Sequence, residues 1–95
     1  MQKVVIKLNS GKSDEEIWEW LRQNLEKSLE KKAPMENIKP YFDQNIRRID
    51  LKGRTVSGVM DLDNGEIKIV LEIPTLYRFF APHIKAAIIK IFDQI

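Results

Sequence analysis

Over residues 54–95 the apolar and polar positions alternate in two successive runs that meet at Asn64-Gly65. Asn-Gly between alternating runs signals a hairpin closed by a two-residue type I′ turn, because both residues tolerate the positive φ that such a turn requires. A loop of that length dictates the pairing. On one face Leu62 opposes Ile67, Met60 opposes Ile69, Gly58 opposes Leu71 and Val56 opposes Ile73. On the other, Asp63 opposes Glu66, Asp61 opposes Lys68 and Val59 opposes Val70. Successive side chains point to opposite sides of a strand, so the hairpin has a single core face.

Upstream, residues 3–8 alternate, with Val4, Ile6 and Leu8 on one face of a half-buried strand. Ser13 followed by Glu16 forms a capping box, and Asp14, Glu15 and Glu16 put negative charge at a helix start. The helix is expected over about residues 14–31. Its stripe consists of Ile17, Trp18, Leu21, Leu25, Ser28 and Leu29, with Trp20 well to the side. Residues 33–45 carry Pro34 and Pro40 without a clean period, so they read as a connection containing a helical turn, pinned to the core by Tyr41 and Phe42.

A second strand is expected over 46–51, with Lys52-Gly53 as a two-residue turn back to Arg54. That register sets Ile49 opposite Val56, Arg48 opposite Ser57 and Ile46 opposite Val59. The core face of the resulting three-strand meander consists of Ile49, Leu51, Val56, Met60, Leu62, Ile67, Ile69, Leu71 and Ile73.

Beyond Pro74, Thr75 is placed to cap a first turn over 76–80. Pro82 then forces a restart or a kink, since it lacks a donor and crowds the preceding turn. From there Ile84, Ala87, Ile88, Ile91, Phe92 and Ile95 share a face, which Tyr77 and Phe80 extend, while Phe79 and Ile89 fall outside it. The order is strand, helix, three strands, helix. It predicts one α+β domain over 1–95, a two-layer β-α-β-β-β-α sandwich with both helices on one face of an antiparallel sheet.

Composition narrows the chemistry. The 95 residues contain no cysteine, which excludes disulfides and thiolate metal sites, and the net charge of +2 comes from many residues of both signs. No apolar run approaches the roughly 20 residues needed to span a bilayer, and the start Met1-Gln2-Lys3 leads into a short strand and not a signal-peptide core. A cytoplasmic location is expected. His83 is the single histidine, placed as a solvated or capping residue. Asp61, Asp63, Asn64, Gly65 and Glu66 have the composition of a calcium loop without its spacing, and the hairpin accounts for all five. Lys12 after Gly11 lacks the rest of a Walker loop, and the four serines have no histidine at a motif spacing. No catalytic, cofactor-binding or metal-ligating set is therefore expected, and the chain reads as a protein that is not an enzyme.

The strand Val56-Ser57-Gly58, the strand through Glu66-Ile67-Lys68-Ile69, then Leu71-Glu72-Ile73-Pro74-Thr75-Leu76, Phe80 and an Ile-rich final helix resemble the small bacterial polyhydroxyalkanoic acid system proteins. The resemblance extends more weakly to the first strand and the acidic-capped helix, and departs from the family in a longer connection over 33–45. It implies a protein associated with storage-polyester granules or with proteins at them, through apolar surface. Leu76, Tyr77, Phe79 and Phe80 are the candidate contacts, because so many large side chains beside a proline cannot all face one core. The ordinary reading is that Tyr77 and Phe80 are core while Leu76 and Phe79 cover the sheet end.

Two other expectations belong to different classes. Arg47, Arg48, Lys52 and Arg54 gather on one hairpin, and helix, three strands, helix is the order of double-stranded-RNA-binding domains, so an RNA-binding module is the alternative. Against it stand the acidic helix start and strands without aromatic stacking platforms. Finally, Ile46, Val59 and Val70 form an apolar row on the open sheet face, to which Val5 could add. That row suits a weak homodimer.

Overall fold

In the computed structural model, which describes residues 2–93, the chain runs β1 (Gln2–Asn9), α1 (Asp14–Lys32), β2 (Lys39–Asp43), β3 (Arg48–Lys52), β4 (Ser57–Asp63), β5 (Glu66–Ile73), a 3₁₀ helix (Thr75–Phe80) and α2 (Ala81–Phe92). The Asn64-Gly65 turn forms as its chemistry requires, with φ of 52° and 78°. β4 and β5 pair in the register it dictates, from Asp63 opposite Glu66 to Ser57 opposite Glu72. Tertiary contact reinforces the turn, because the Asp14 carboxylate accepts hydrogen bonds from the amides of both Asn64 and Gly65. Ser13 caps α1, its hydroxyl accepting from the Glu16 amide at 3.3 Å.

The five strands form one antiparallel sheet in the order β1-β5-β4-β3-β2, so α1 carries the chain from one edge to the other. Along one face run Ile6, Ile49, Leu51, Met60, Leu62, Ile67, Ile69, Leu71 and Ile73, all buried. Against them lie Ile17, Trp18, Leu21, Leu25 and Leu29 of α1 and Ala81, Ile88 and Ile91 of α2. Each such large aliphatic contributes about 1.5–3 kcal/mol by leaving water, which is why the two layers close on this face. The result is the α+β two-layer architecture expected, with both helices on one side. Ser28 and Trp20 sit half-buried at the margin of the α1 stripe. In α2, Pro82 falls in the first turn, where a missing N–H costs nothing. Ile89, expected outside the stripe, packs partly against the core, and Ile95 lies outside the described residues.

Three expectations are corrected. First, residues 39–43 are not a bare connection but the strand β2, paired from Lys39 opposite Lys52 to Asp43 opposite Arg48. Pro40 hides the strand in the sequence, and the structure tolerates it because β2 is an edge. Phe42 does pin this strand, stacking edge-on against Trp18 with centroids 5.5 Å apart. Tyr41 does not; it is exposed on the other face, with Lys52 Nζ 5.6 Å from its ring centre. Second, Thr75 makes no capping hydrogen bond: the 3₁₀ helix follows Pro74, whose carbonyl accepts from the Tyr77 amide at 2.8 Å.

Third, the β3–β4 loop has four residues, 53–56, and not two. Gly53 N donates to Val56 O at 2.8 Å inside it. The cause is Glu36, whose carboxylate accepts from the Thr55 amide and hydroxyl and from the Val56 amide, while its carbonyl accepts from the Arg54 amide. Every pairing is displaced by four residues. Ile49 opposes Met60 and not Val56, Arg48 opposes Asp61 and not Ser57, and Asp50 takes the place opposite Val59 assigned to Ile46. An even displacement leaves each side chain on its original face, so the core residues survive the error.

Candidate functional site: an exposed apolar turn beside a groove

Between Pro74, which ends β5, and Pro82, in the first turn of α2, the chain has six residues of 3₁₀ helix and buries none of them. Three residues per turn set positions i and i+3 one above the other. Leu76 therefore aligns with Phe79, and Tyr77 with Phe80. The first pair is the more exposed, at 87% for Leu76 and 74% for Phe79. Phe80 at 57% and Tyr77 at 41% follow, their rings 6.3 Å apart and tilted by 42°. The ordinary reading of the sequence, with Tyr77 and Phe80 in the core, is not what the fold adopts. All four candidate contacts are on the surface.

Tyr77 and Phe80 form one wall of an open groove of about 380 Å³ whose other apolar lining comes from Ala33, Pro34, Met35, Ile84 and Ala87. Lys32, Glu36 and His83 stand at its edges. Met35 is 82% exposed at the groove's lip. Large single-file exposure of this kind on a small domain is uncommon away from binding surfaces, since such side chains gain nothing from the fold they belong to. His83 is exposed on the first turn of α2, as its place in the sequence suggested.

Sequence reasoning missed the contribution of residues 33–36 to this site, because the stretch has no period from which a face could be assigned. Helical periodicity puts Ile84 and Ala87 on the core stripe. They are half-buried, and each presents one side to the groove.

The basic residues of the hairpin are not brought together. Arg47, in the left-handed region at φ 50°, reaches the α1 start, 3.9 Å from Asp14 and 3.7 Å from Glu15. Arg48 donates to Asp61 at 2.9 Å; that hydrogen bond, and next the charge of Asp61, push the guanidinium pKa further up. Lys52 closes the other end of β3 and Arg54 lies just past it, on the order of 15 Å away at strand rise. With Lys39 they line a second concavity of about 650 Å³ that also includes Pro34, Met35, Asn37 and Gly53.

The open sheet face carries a shorter apolar row than the sequence register implied. Val59 pairs with Val70 and Val70 with Val5, but Asp50 interrupts the row where Ile46 was expected. Ile46 instead lies exposed in the turn that joins β2 to β3.

No protein-family model, curated protein or solved structure matches this chain. Among the described residues, no group of three or more His, Asp or Glu side chains could hold a metal, and no helix is long and apolar enough to cross a membrane.

Proposed function

We propose that this protein is a non-catalytic binding module that docks on apolar surface through Leu76, Tyr77, Phe79 and Phe80, the target being a storage-polyester granule or a protein at one. The observation that carries the reading is the exposure of all four side chains on one 3₁₀ turn beside an apolar groove. The resemblance of residues 54–95 to polyhydroxyalkanoic acid system proteins supplies the identity of the target. The groove is lined mainly by aliphatic and aromatic groups, with Lys32, Glu36 and His83 beside them, which suits adhesion to an apolar target.

A granule-pelleting assay tests it. Phe79 is worth about 1.5–3 kcal/mol when its ring leaves water, so Phe79→Asp is expected to weaken pelleting by about tenfold or more while leaving the melting temperature unchanged. Equal pelleting of the two proteins, or none by the wild type, removes the reading. The duplex-RNA alternative, built on Arg47, Arg48, Lys52 and Arg54 of one hairpin, is the less favoured reading, because Arg47 and Arg48 are paired with carboxylates and four strands, not three, separate the helices.

Weak self-association is the second reading, carried by the contiguous Val5, Val70 and Val59 on the open face. Three partly exposed valines ending at Asp50 sustain at most a dimer with a dissociation constant near the millimolar range. Sedimentation equilibrium should show the wild type associating at millimolar concentration and Val59→Lys remaining monomeric. A monomeric wild type under those conditions rejects this interface.

A further inference from the structure

The two concavities described above share Pro34 and Met35, so Met35 stands on the ridge between an apolar groove and a basic one. On the apolar side lie Tyr77 and Phe80, with Leu76 and Phe79 projecting from the same turn. On the other side every charged lining residue is basic: Lys39, Lys52 and Arg54. Lys39 is partly neutralised by Glu26 and Glu30 of α1, at 3.5 and 3.6 Å. Among the described residues, Lys52 and Arg54 have no carboxylate within ion-pairing distance. The nearest acid in sequence, Asp50, lines the open sheet face with Lys52 and Glu72 without closing an ion pair to Lys52, and Glu36 directs its carboxylate to Thr55 and Val56. The apolar turn has cations of its own, with Arg78 lying over the Phe79 ring at 5.1 Å and Lys32 at the groove edge.

We infer that this end of the molecule docks on an anionic phospholipid surface, with Met35, Leu76 and Phe79 entering the acyl boundary and Lys52 and Arg54 engaging the head-group phosphates. The inference rests on the reading of the apolar turn as the binding surface and adds the charge of its target. Exposed apolar side chains beside basic ones match the layered chemistry of a lipid interface, where hydrocarbon lies a few ångströms beneath negative charge. The long stems of Lys and Arg let the charge stay at the phosphate level while their methylenes follow the apolar side chains inward. A neutral polymer surface would make no use of Lys52 and Arg54. A nucleic acid backbone would leave Leu76, Phe79 and Met35 in water. Each basic residue held near an anionic leaflet contributes roughly a fivefold gain in binding, so the pair should be worth more than tenfold.

Co-sedimentation with sucrose-loaded vesicles provides the test, using phosphatidylcholine alone and a 3:1 mixture with phosphatidylglycerol (about a quarter anionic lipid). The full chain is compared with Lys52→Glu/Arg54→Glu and with Leu76→Asp/Phe79→Asp. All four positions are exposed, and thermal melts confirm that the variants fold. The expected result is wild-type binding to the anionic vesicles at least tenfold tighter than to the neutral ones, with a loss of at least tenfold in either double variant. Equal partition onto both vesicles, unchanged binding after the charge reversal, or no wild-type binding overturns the inference. So does retention on duplex RNA that the charge reversal abolishes while vesicles are ignored. Polyester beads run in parallel separate the two ideas. Beads that retain the wild type while anionic vesicles do not leave the granule reading standing without this inference, and the reverse result leaves this inference standing without the granule.

Discussion

Replacing Glu36 with alanine is expected to destabilise the fold by about 2–3 kcal/mol, although the residue lies in the aperiodic segment after α1 and is not fully buried. Its carboxylate accepts from Thr55 Oγ1 at 2.8 and 2.9 Å and from the amides of Thr55 and Val56 at 3.2 Å. Hydrogen bonds to a charged acceptor are worth about 1.5–3 kcal/mol each, but water can reach part of this site, so the sum must be discounted. Alanine leaves the loop amides without their acceptor, and the four-residue β3–β4 loop loses the contact that selects it. Glu36→Gln keeps one oxygen and is expected to cost about half as much. Urea denaturation of both variants and of Thr55→Val, arranged as a double-mutant cycle, measures the coupling. A Glu36→Ala protein within 0.5 kcal/mol of wild type, an ordinary surface result, would show that the carboxylate does not hold this loop.

Leu25→Ala and Leu76→Ala make the same chemical change on opposite sides of the structure, and their difference is the second large effect. Leu25 is fully buried between α1 and the sheet. Its truncation removes transfer energy and leaves a cavity, so a loss of about 3–4 kcal/mol is expected. Leu76 is almost fully solvated, and truncating it should change stability by less than about 0.5 kcal/mol. The comparison bears on function, because a leucine that contributes nothing to folding is free to contribute to binding. A Leu76→Ala protein destabilised by more than 1 kcal/mol would place that side chain in the core and remove it from the proposed docking surface.

What the sequence makes legible is what its local determinants specify. The Asn64-Gly65 hairpin was legible because two adjacent residues specify both turn type and register, and the structure pairs β4 with β5 accordingly. The α1 stripe was legible because 3.6-residue periodicity and a Ser13 cap lie within the helix itself. At the β3–β4 connection the local pattern was equally compatible with a two-residue and a four-residue loop. Both put Ile49 and Leu51 on the core face, and the choice between them came from Glu36, nineteen and twenty residues before its partners Thr55 and Val56. β2 was missed for a related reason: Pro40 argues against a strand in general but not against an edge strand, and edge position is a property of the assembled sheet.

The candidate site divides in the same way. That Leu76, Tyr77, Phe79 and Phe80 were too many large side chains for one core could be read from their adjacency to Pro74 and Pro82, which set both ends of the turn. Their joint exposure, the groove they share with residues 33–36, and the basic concavity beyond Met35 depend on where α1 delivers the chain after crossing the sheet. By itself the sequence determined the faces, because alternation and helical periodicity act over a few residues and survive an even slip of register. Tertiary structure alone decided the neighbours across β3 and β4, the breaking of the Ile46 row by Asp50 and the meeting of apolar and basic surface at Met35. The β3–β4 register depends on Glu36, distant in the chain from the loop it holds, and the surface at Met35 joins segments far apart, so no local propensity carries information about either.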